Sequence, residues 1–287
     1  MKISELKVNG YENPVGISPQ GQVLFSWKIE QMRAKRLILT RLLVYSDPGM
    51  KHEIGALQGE QLKAGGQVMK LELAPRTRYY VKLQAVSEER EAAESEPAIF
   101  ETCKMDEAWE GVWIKAAEGE ENRGFLRLFS LAGAEDDYDP GQDPDTRTDA
   151  PDAGRRILSG RLYVACSQAA QVLLNGSPIA QIGSDMEGSY LTCNISNYLA
   201  DENLLEILPL AQGAEHKKED ADSRERSSDR AFAVIGEVYI RRADGSEDLI
   251  ATGPDWLYRG SKGKDWLPVQ VTEGEVPSQG SVDRFEF

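Results

Sequence analysis

Gly160–Gly176 reads GRLYVACSQAAQVLLNG: two apolar runs, Leu162–Cys166 and Gln171–Leu174, parted by a small polar gap and closed by Asn175-Gly176. Runs this short, rich in Tyr, Val and Leu and bounded by Ser, Gln and an Asn-Gly turn, are β-strands meeting in a tight corner. That corner predicts the centre of a β-sandwich.

The same rhythm runs outward in both directions. On the N-terminal side, Ile3–Val8, Val23–Ile29, Leu37–Tyr45, Val68–Leu73, Tyr79–Val86 and Ala98–Thr102 are strand-like. Asn9-Gly10, Asn13-Pro14 and Ser46-Asp47-Pro48-Gly49 break the run. Val23, Phe25, Trp27 and Ile29 share one face of a half-buried strand. About seven short strands in a hundred residues, without helical periodicity, predict a fibronectin type III-like or immunoglobulin-like sandwich over 1–104. Trp27 and one of Tyr79 or Tyr80 are its expected core aromatics.

On the C-terminal side, Gly124–Leu131, Ser189–Ile195, Leu204–Leu210, Phe232–Ile240, Leu249–Ala251, Trp256–Tyr258 and Val269–Val271 continue the pattern, with Asp244-Gly245 a hairpin turn. Some ten strands and no helix predict a jelly-roll sandwich over 105–287. The fold class expected is therefore all-β, two sandwich domains in series. Two stretches are too polar to bury themselves and read as surface loops: acidic 134–154 and charged 212–230. Trp109, Val112, Trp113 and Ile114 open the second domain, either as a packing plug or as a platform for the C–H face of a sugar ring.

Charge divides the chain at the same place. Residues 1–103 hold 14 Lys/Arg against 13 Asp/Glu, leaving 19 against 35 for the rest and a total of −15. No Lys/Arg cluster offers a phosphate backbone or an anionic membrane a surface, so neither nucleic acid nor membrane is expected as a partner. MKISELKVNG shows no secretory pattern and no apolar run is of spanning length, so the cytoplasm is the expected location. Cys103, Cys166 and Cys193 fit neither a zinc pattern nor a disulfide framework. Asn175-Gly176-Ser177 and Asn194-Ile195-Ser196 match glycan acceptors by letter only.

Chemistry is thinly supplied. His52 and His216 are the two histidines, each in a polar context without a nucleophile motif, and no glycine-rich loop leads into a helix. No cofactor is expected. Calcium would suit the carboxylates of 134–154, but no EF-hand order supports it. Paired carboxylates for glycoside hydrolysis would need a rigid cleft, whereas most acidic residues here lie in loops.

One resemblance carries the reading further. VNGYENPVGI (Val8–Ile17) followed by VLFSWKI (Val23–Ile29) resembles the opening of bacterial α-L-rhamnosidases, of type V-N-G-x-x-x-P-x-G-I and then F-S-W. Phe100-Glu101-Thr102 looks like the F-E-T ending of that fibronectin-like domain, and Trp109 with Trp113-Ile114 like the W-x-x-x-W-I bridge after it. GRLYVACSQAAQVLLNG, YLTCNISNYL (Tyr190–Leu199) and Asp244-Gly245 through Trp256 are similar, in order, to segments of the jelly-roll domain that follows. The resemblance implies a non-catalytic front region: the family's helical catalytic barrel and its acidic motif are missing from this chain. So is a Gly-Trp loop after the strand equivalent to Leu204–Leu210, since 212–230 contains no Trp.

Three functions follow from it. The first is an accessory module binding L-rhamnose-containing glycans, with Trp256, Trp266, Asn175 and Asp185 as the candidate contacts. The second is a spacer that meets a catalytic domain or another protein. The third is a glycoside hydrolase acting on α-L-rhamnosides.

Overall fold

The computed structural model describes residues 1–60, 62, 65–120, 122–131, 156–184, 186, 188–210, 231–260 and 265–282. The stretches 134–154 and 212–230, expected as surface loops, and the residue Asp185 lie outside the described residues. The chain divides into two units, Met1–Glu107 with Gln279–Val282, and Ala108–Ser278. No helix among the described residues is long and apolar enough to cross a membrane.

In the first unit the strands are β1 (Lys2–Val8), β2 (Val15–Ile17), β3 (Gln22–Glu30), β4 (Leu37–Tyr45), β5 (Glu53–Gly59), β6 (Gln67–Lys70), β7 (Arg78–Ser87), β8 (Ala92–Glu94) and β9 (Ala98–Thr102). They form one sheet in the order β1-β3-β6 and another in the order β2-β9-β7-β4-β5, with β8 on β7. The alternation in β3 is realised: Val23, Phe25 and Trp27 are buried, while Leu24 and Lys28 face out. β7 answers with Tyr79, Val81, Leu83 and Ala85. Of the two tyrosines it is Tyr79 that enters the core. Its ring stacks on Phe100 at 5.2 Å, and its hydroxyl accepts the Ala74 N–H at 2.7 Å, the tie that lets a tyrosine be buried without stranding its oxygen. Arg76 grips Glu107 through two bonds, Nε to Oε2 at 2.6 Å and a terminal nitrogen to Oε1 at 3.1 Å, so the segment leaving the unit is fixed to its own sandwich.

The second unit contains β10 (Trp113–Lys115), β11 (Asn122–Ser130), β12 (Ile157–Cys166), β13 (Ala170–Leu174), β14 (Ser177–Ile182), β15 (Ser189–Asn194), β16 (Glu202–Pro209), β17 (Ala233–Arg242), β18 (Glu247–Ala251), β19 (Leu257–Gly260), β20 (Trp266–Pro268) and β21 (Gln270–Thr272). One sheet runs β21-β10-β17-β12-β15 with β18 on β17, and the other runs β14-β13-β16-β11-β19-β20. The last strand, β22 (Gln279–Val282), is grouped with the first unit. Leu162 and Val164 of β12, Val172 and Leu174 of β13, Ile207 of β16 and Val238 of β17 belong to one buried cluster between the sheets.

The corner within Gly160–Gly176 has a definite form. β12 and β13 do not pair with each other; they lie in opposite sheets, so 167–169 carries the chain across the sandwich. The hairpin belongs to Asn175-Gly176, which joins β13 to β14 with both residues at positive φ, +54° and +78°. Asp244-Gly245 also makes its hairpin: Asp244 Oδ1 accepts the Ser246 N–H at 2.9 Å, and β17 pairs with β18.

Candidate functional site

The segment leading into the second unit is built around a carboxylate. Glu237 of β17 is fully buried, and its Oε1 accepts the backbone N–H groups of Glu110, at 2.5 Å, and Gly111, at 2.9 Å. A side chain at Gly111 is impossible without movement, because its Cβ would lie 2.8 Å from Gly236 O and 2.9 Å from Thr252 Oγ1. Val112 N donates to Thr252 O, and Thr252 Oγ1 donates back to Val112 O. Glu237 is thus a backbone anchor.

That anchoring sorts the aromatic residues that follow Ala108. Trp109 is a plug: its ring meets Tyr190 edge-on at 5.3 Å, and its Nε1 donates to Pro277 O at 3.0 Å. Ile114 is in the core. Trp113, one residue out of phase with Ile114, is half-buried on the outer face. Its Nε1 donates to Glu275 O at 3.0 Å, and a Cβ built on Gly274 would sit 2.7 Å from Trp113 Cδ1, so the glycine backbone lies against the indole. Val112, Val271 and Val276 are exposed. A ring held by a hydrogen bond and by a flat backbone contact keeps one orientation.

The four candidate contacts do not form one site. Trp256 is 1% exposed, packs in the core and donates its Nε1 to Ala251 O at 2.9 Å, so neither of its faces reaches solvent. Trp266 is half-buried on strand β20 at the sheet edge, directly across from exposed Arg259. Asn175 sits at the end of β13, and β16, β11 and β19 separate β13 from β20. Four strand spacings put about 19 Å between them. Asn175 is also fully engaged. Its N donates to Leu204 O and its Oδ1 accepts Leu204 N, both at 2.8 Å, while Nδ2 donates to Tyr198 O at 2.9 Å and Asn203 Oδ1 at 3.1 Å. The position of Asp185 is outside the described residues.

Other reactive groups are quiet. His52 lies in an exposed turn beside Asp47, its Nδ1 3.2 Å from Oδ1. All three cysteines are free, and burial pushes the Cys166 thiol well above its ordinary pKa, which keeps it from acting as a thiolate. Among the described residues no group of three or more His, Cys, Asp or Glu is placed to hold a metal ion. The calcium candidate, 134–154, falls outside them. Of the aromatic entry segment read as plug or sugar platform, the sequence does not single out Trp113, although its phase relative to Ile114 carries that signal.

Residues 3–106 match the family described as Rha78A-like, N-terminal immunoglobulin domain. No curated protein matches the sequence. The structure of an α-L-rhamnosidase from Dictyoglumus thermophilum is similar over 96% of this chain and 34% of its own, at 16% identity and a TM-score of 0.70. Native α-L-rhamnosidase from Aspergillus terreus is similar over 97% and 35%, at 13% identity and 0.68. The chain therefore spans about a third of the length of the rhamnosidases it matches, and at these identities the likeness is one of fold.

Proposed function

We propose, from a first unit that is a Rha78A-like N-terminal immunoglobulin domain, that this chain is a non-catalytic accessory region of an α-L-rhamnosidase-type protein, and that its second unit holds rhamnose-containing glycans weakly against Trp113. The observation that carries the sugar reading is the fixed indole. An aromatic face stacks on the apolar C–H face of a pyranose, and a ring already held by Glu275 O and Gly274 loses little rotamer freedom on binding. Trp266 beside Arg259 is another half-exposed indole, with guanidinium donors suited to sugar hydroxyls.

A second reading has its own support. Exposed Val112, Val271 and Val276 are apolar without donors, which suits a protein surface, such as that of a catalytic domain, better than a sugar.

Calorimetric titration of the chain with L-rhamnose, with and without calcium, separates the two. The sugar reading expects saturable heat with a dissociation constant of around 1 mM, about −4 kcal/mol, lost in Trp113→Ala. Loss in Trp266→Ala instead would move the site to β20. A flat titration with a folded chain overturns sugar binding and leaves the spacer. An aryl α-L-rhamnoside incubated with the same protein tests the hydrolase alternative, and turnover abolished by a single carboxylate substitution would overturn the non-catalytic assignment.

A further inference from the structure

The sequence contains two Asn-Gly pairs, Asn9-Gly10 and Asn175-Gly176, and the structure builds them the same way. Each is a two-residue hairpin loop with the Asn at φ near +50° and the Gly at φ near +80°. The flanking pairs, Val8 with Tyr11 and Leu174 with Ser177, make the closing contacts, so the loop glycine N–H takes no part in them. Each Asn is braced to a neighbouring strand by a two-bond clamp. Asn9 N donates to Leu24 O at 2.7 Å and Asn9 Oδ1 accepts Leu24 N at 2.9 Å, matching the clamp between Asn175 and Leu204.

The two differ at the other end of the amide. Asn175 Nδ2 donates to Tyr198 O and Asn203 Oδ1, whereas the one side-chain bond described for Asn9 is through Oδ1. We propose that Asn9 is a site of spontaneous covalent modification, deamidation through its own backbone, and that Asn175 is protected from the same reaction by its Nδ2 bonds. In the reaction the Gly10 amide nitrogen loses its proton to base and attacks Asn9 Cγ. The new C–N bond forms as the Cγ–Nδ2 bond breaks, and ammonia leaves with a proton. Water then opens the succinimide at either carbonyl, giving aspartate or isoaspartate, with no oxidant or reductant involved. To react, the side chain must leave its clamp, and Asn175 must break two more bonds than Asn9.

The consequence for the first unit depends on the product. Aspartate at position 9 can still accept the Leu24 N–H. Isoaspartate inserts a methylene into the main chain between Val8 and Tyr11, which shifts the residue that clamps this turn to Leu24 of β3.

Peptide mapping by mass spectrometry of the intact chain, aged in warm, mildly alkaline buffer, reads both sites at once, and a sample aged in urea sets the rates of the unclamped chain. In urea the two sites should convert at comparable rates. In the native chain Asn9 should lead by about tenfold or more. Asn203→Ala, which removes one Nδ2 acceptor, should speed position 175 alone, and position 9 serves as an internal clock should the variant unfold. Exposure alone orders the sites the other way, since Asn175 is exposed and Asn9 half-buried. Asn175 converting first, or a native ratio equal to that in urea, overturns the proposal.

Discussion

Replacing Asn175 separates a structural residue from a sugar ligand, and the structure supplies the size of the effect. Asn175→Ala removes three side-chain bonds, to Leu204 N, Tyr198 O and Asn203 Oδ1, and leaves a Cβ-bearing residue without local bonding at φ +54°. The left-handed conformation costs alanine about 1 kcal/mol. Three bonds at an exposed position contribute toward the low end of the usual range, about 2 kcal/mol together. The sum, about 3 kcal/mol, should move the urea midpoint of the second unit down by about 1.5 M for a slope of about 2 kcal/mol per M. Asn175→Gly adopts positive φ freely and should recover about 1 kcal/mol of that loss, isolating the bonds. Asn175→Asp keeps the acceptor for Leu204 N but turns a carboxylate oxygen toward Tyr198 O and Asn203 Oδ1. Those acceptors raise its folded pKa above the unfolded value near 4, so its stability should recover as pH falls through that range and be lost as pH rises. Tryptophan fluorescence reports the transition, because four of the five tryptophans (109, 113, 256 and 266) lie in the second unit and only Trp27 in the first. The two units need separate transitions in the fit. An alanine variant within about 0.5 kcal/mol of the parent would refute the clamp, and unchanged stability with lost rhamnose heat would return Asn175 to the list of ligands.

Two further predictions concern the anchor and acid stability. Glu237→Ala should destabilise the second unit by about 2 to 4 kcal/mol and open the amides of Glu110 and Gly111 to hydrogen exchange, while Glu237→Gln, which keeps an oxygen acceptor, should lose less; equal losses would show that Oε1 is not what holds the segment. In the first unit the Lys82 ammonium, with the Gln84 amide, holds the Glu94 carboxyl below its ordinary pKa, and the His52 N–H, aided by Lys51 N–H, does the same for Asp47. A depressed folded pKa contributes stability above the unfolded value that is lost as pH falls, so thermal stability should drop below about pH 4, and Glu94→Gln should flatten part of that decline. A decline of equal steepness in the variant would exclude the pair as its source.

What was legible in the sequence follows from which contacts are local. Val23, Phe25 and Trp27 announce β3 because alternation is a property of neighbouring residues, and Asn175-Gly176 announces its turn because positive φ at both positions selects that pair. β5, EIGALQG, escapes such reading: an edge strand held by β4 along one side needs little apolar pattern of its own. β14, with Pro178 near its start, is hidden for the same reason, since proline is tolerated at a sheet edge. Tyr79 and Tyr80 cannot be told apart by pattern, because both fit an alternating run until Phe100 and Ala74 N take up Tyr79.

The tryptophans show where the same logic reaches the site and where it stops. Trp256-Leu257-Tyr258 already places Trp256 and Tyr258 on one face by period two, and since Tyr258 is core, Trp256 had to be core as well. Trp113-Ile114 by the same rule puts Trp113 outside once Ile114 is inside. What no local rule supplies is the partner of Trp109, Pro277 O, 168 residues away, or the glycine against which Trp113 lies. Both indoles stay half-buried; what separates them is that Trp109 meets the Tyr190 ring edge-on whereas Trp113 lies beside exposed Val112, Val271 and Val276. The candidate surface is therefore Trp113, and the choice rests on tertiary contacts made by 274–277, a stretch whose own sequence, Gly-Glu-Val-Pro, gives no sign that it seats both rings.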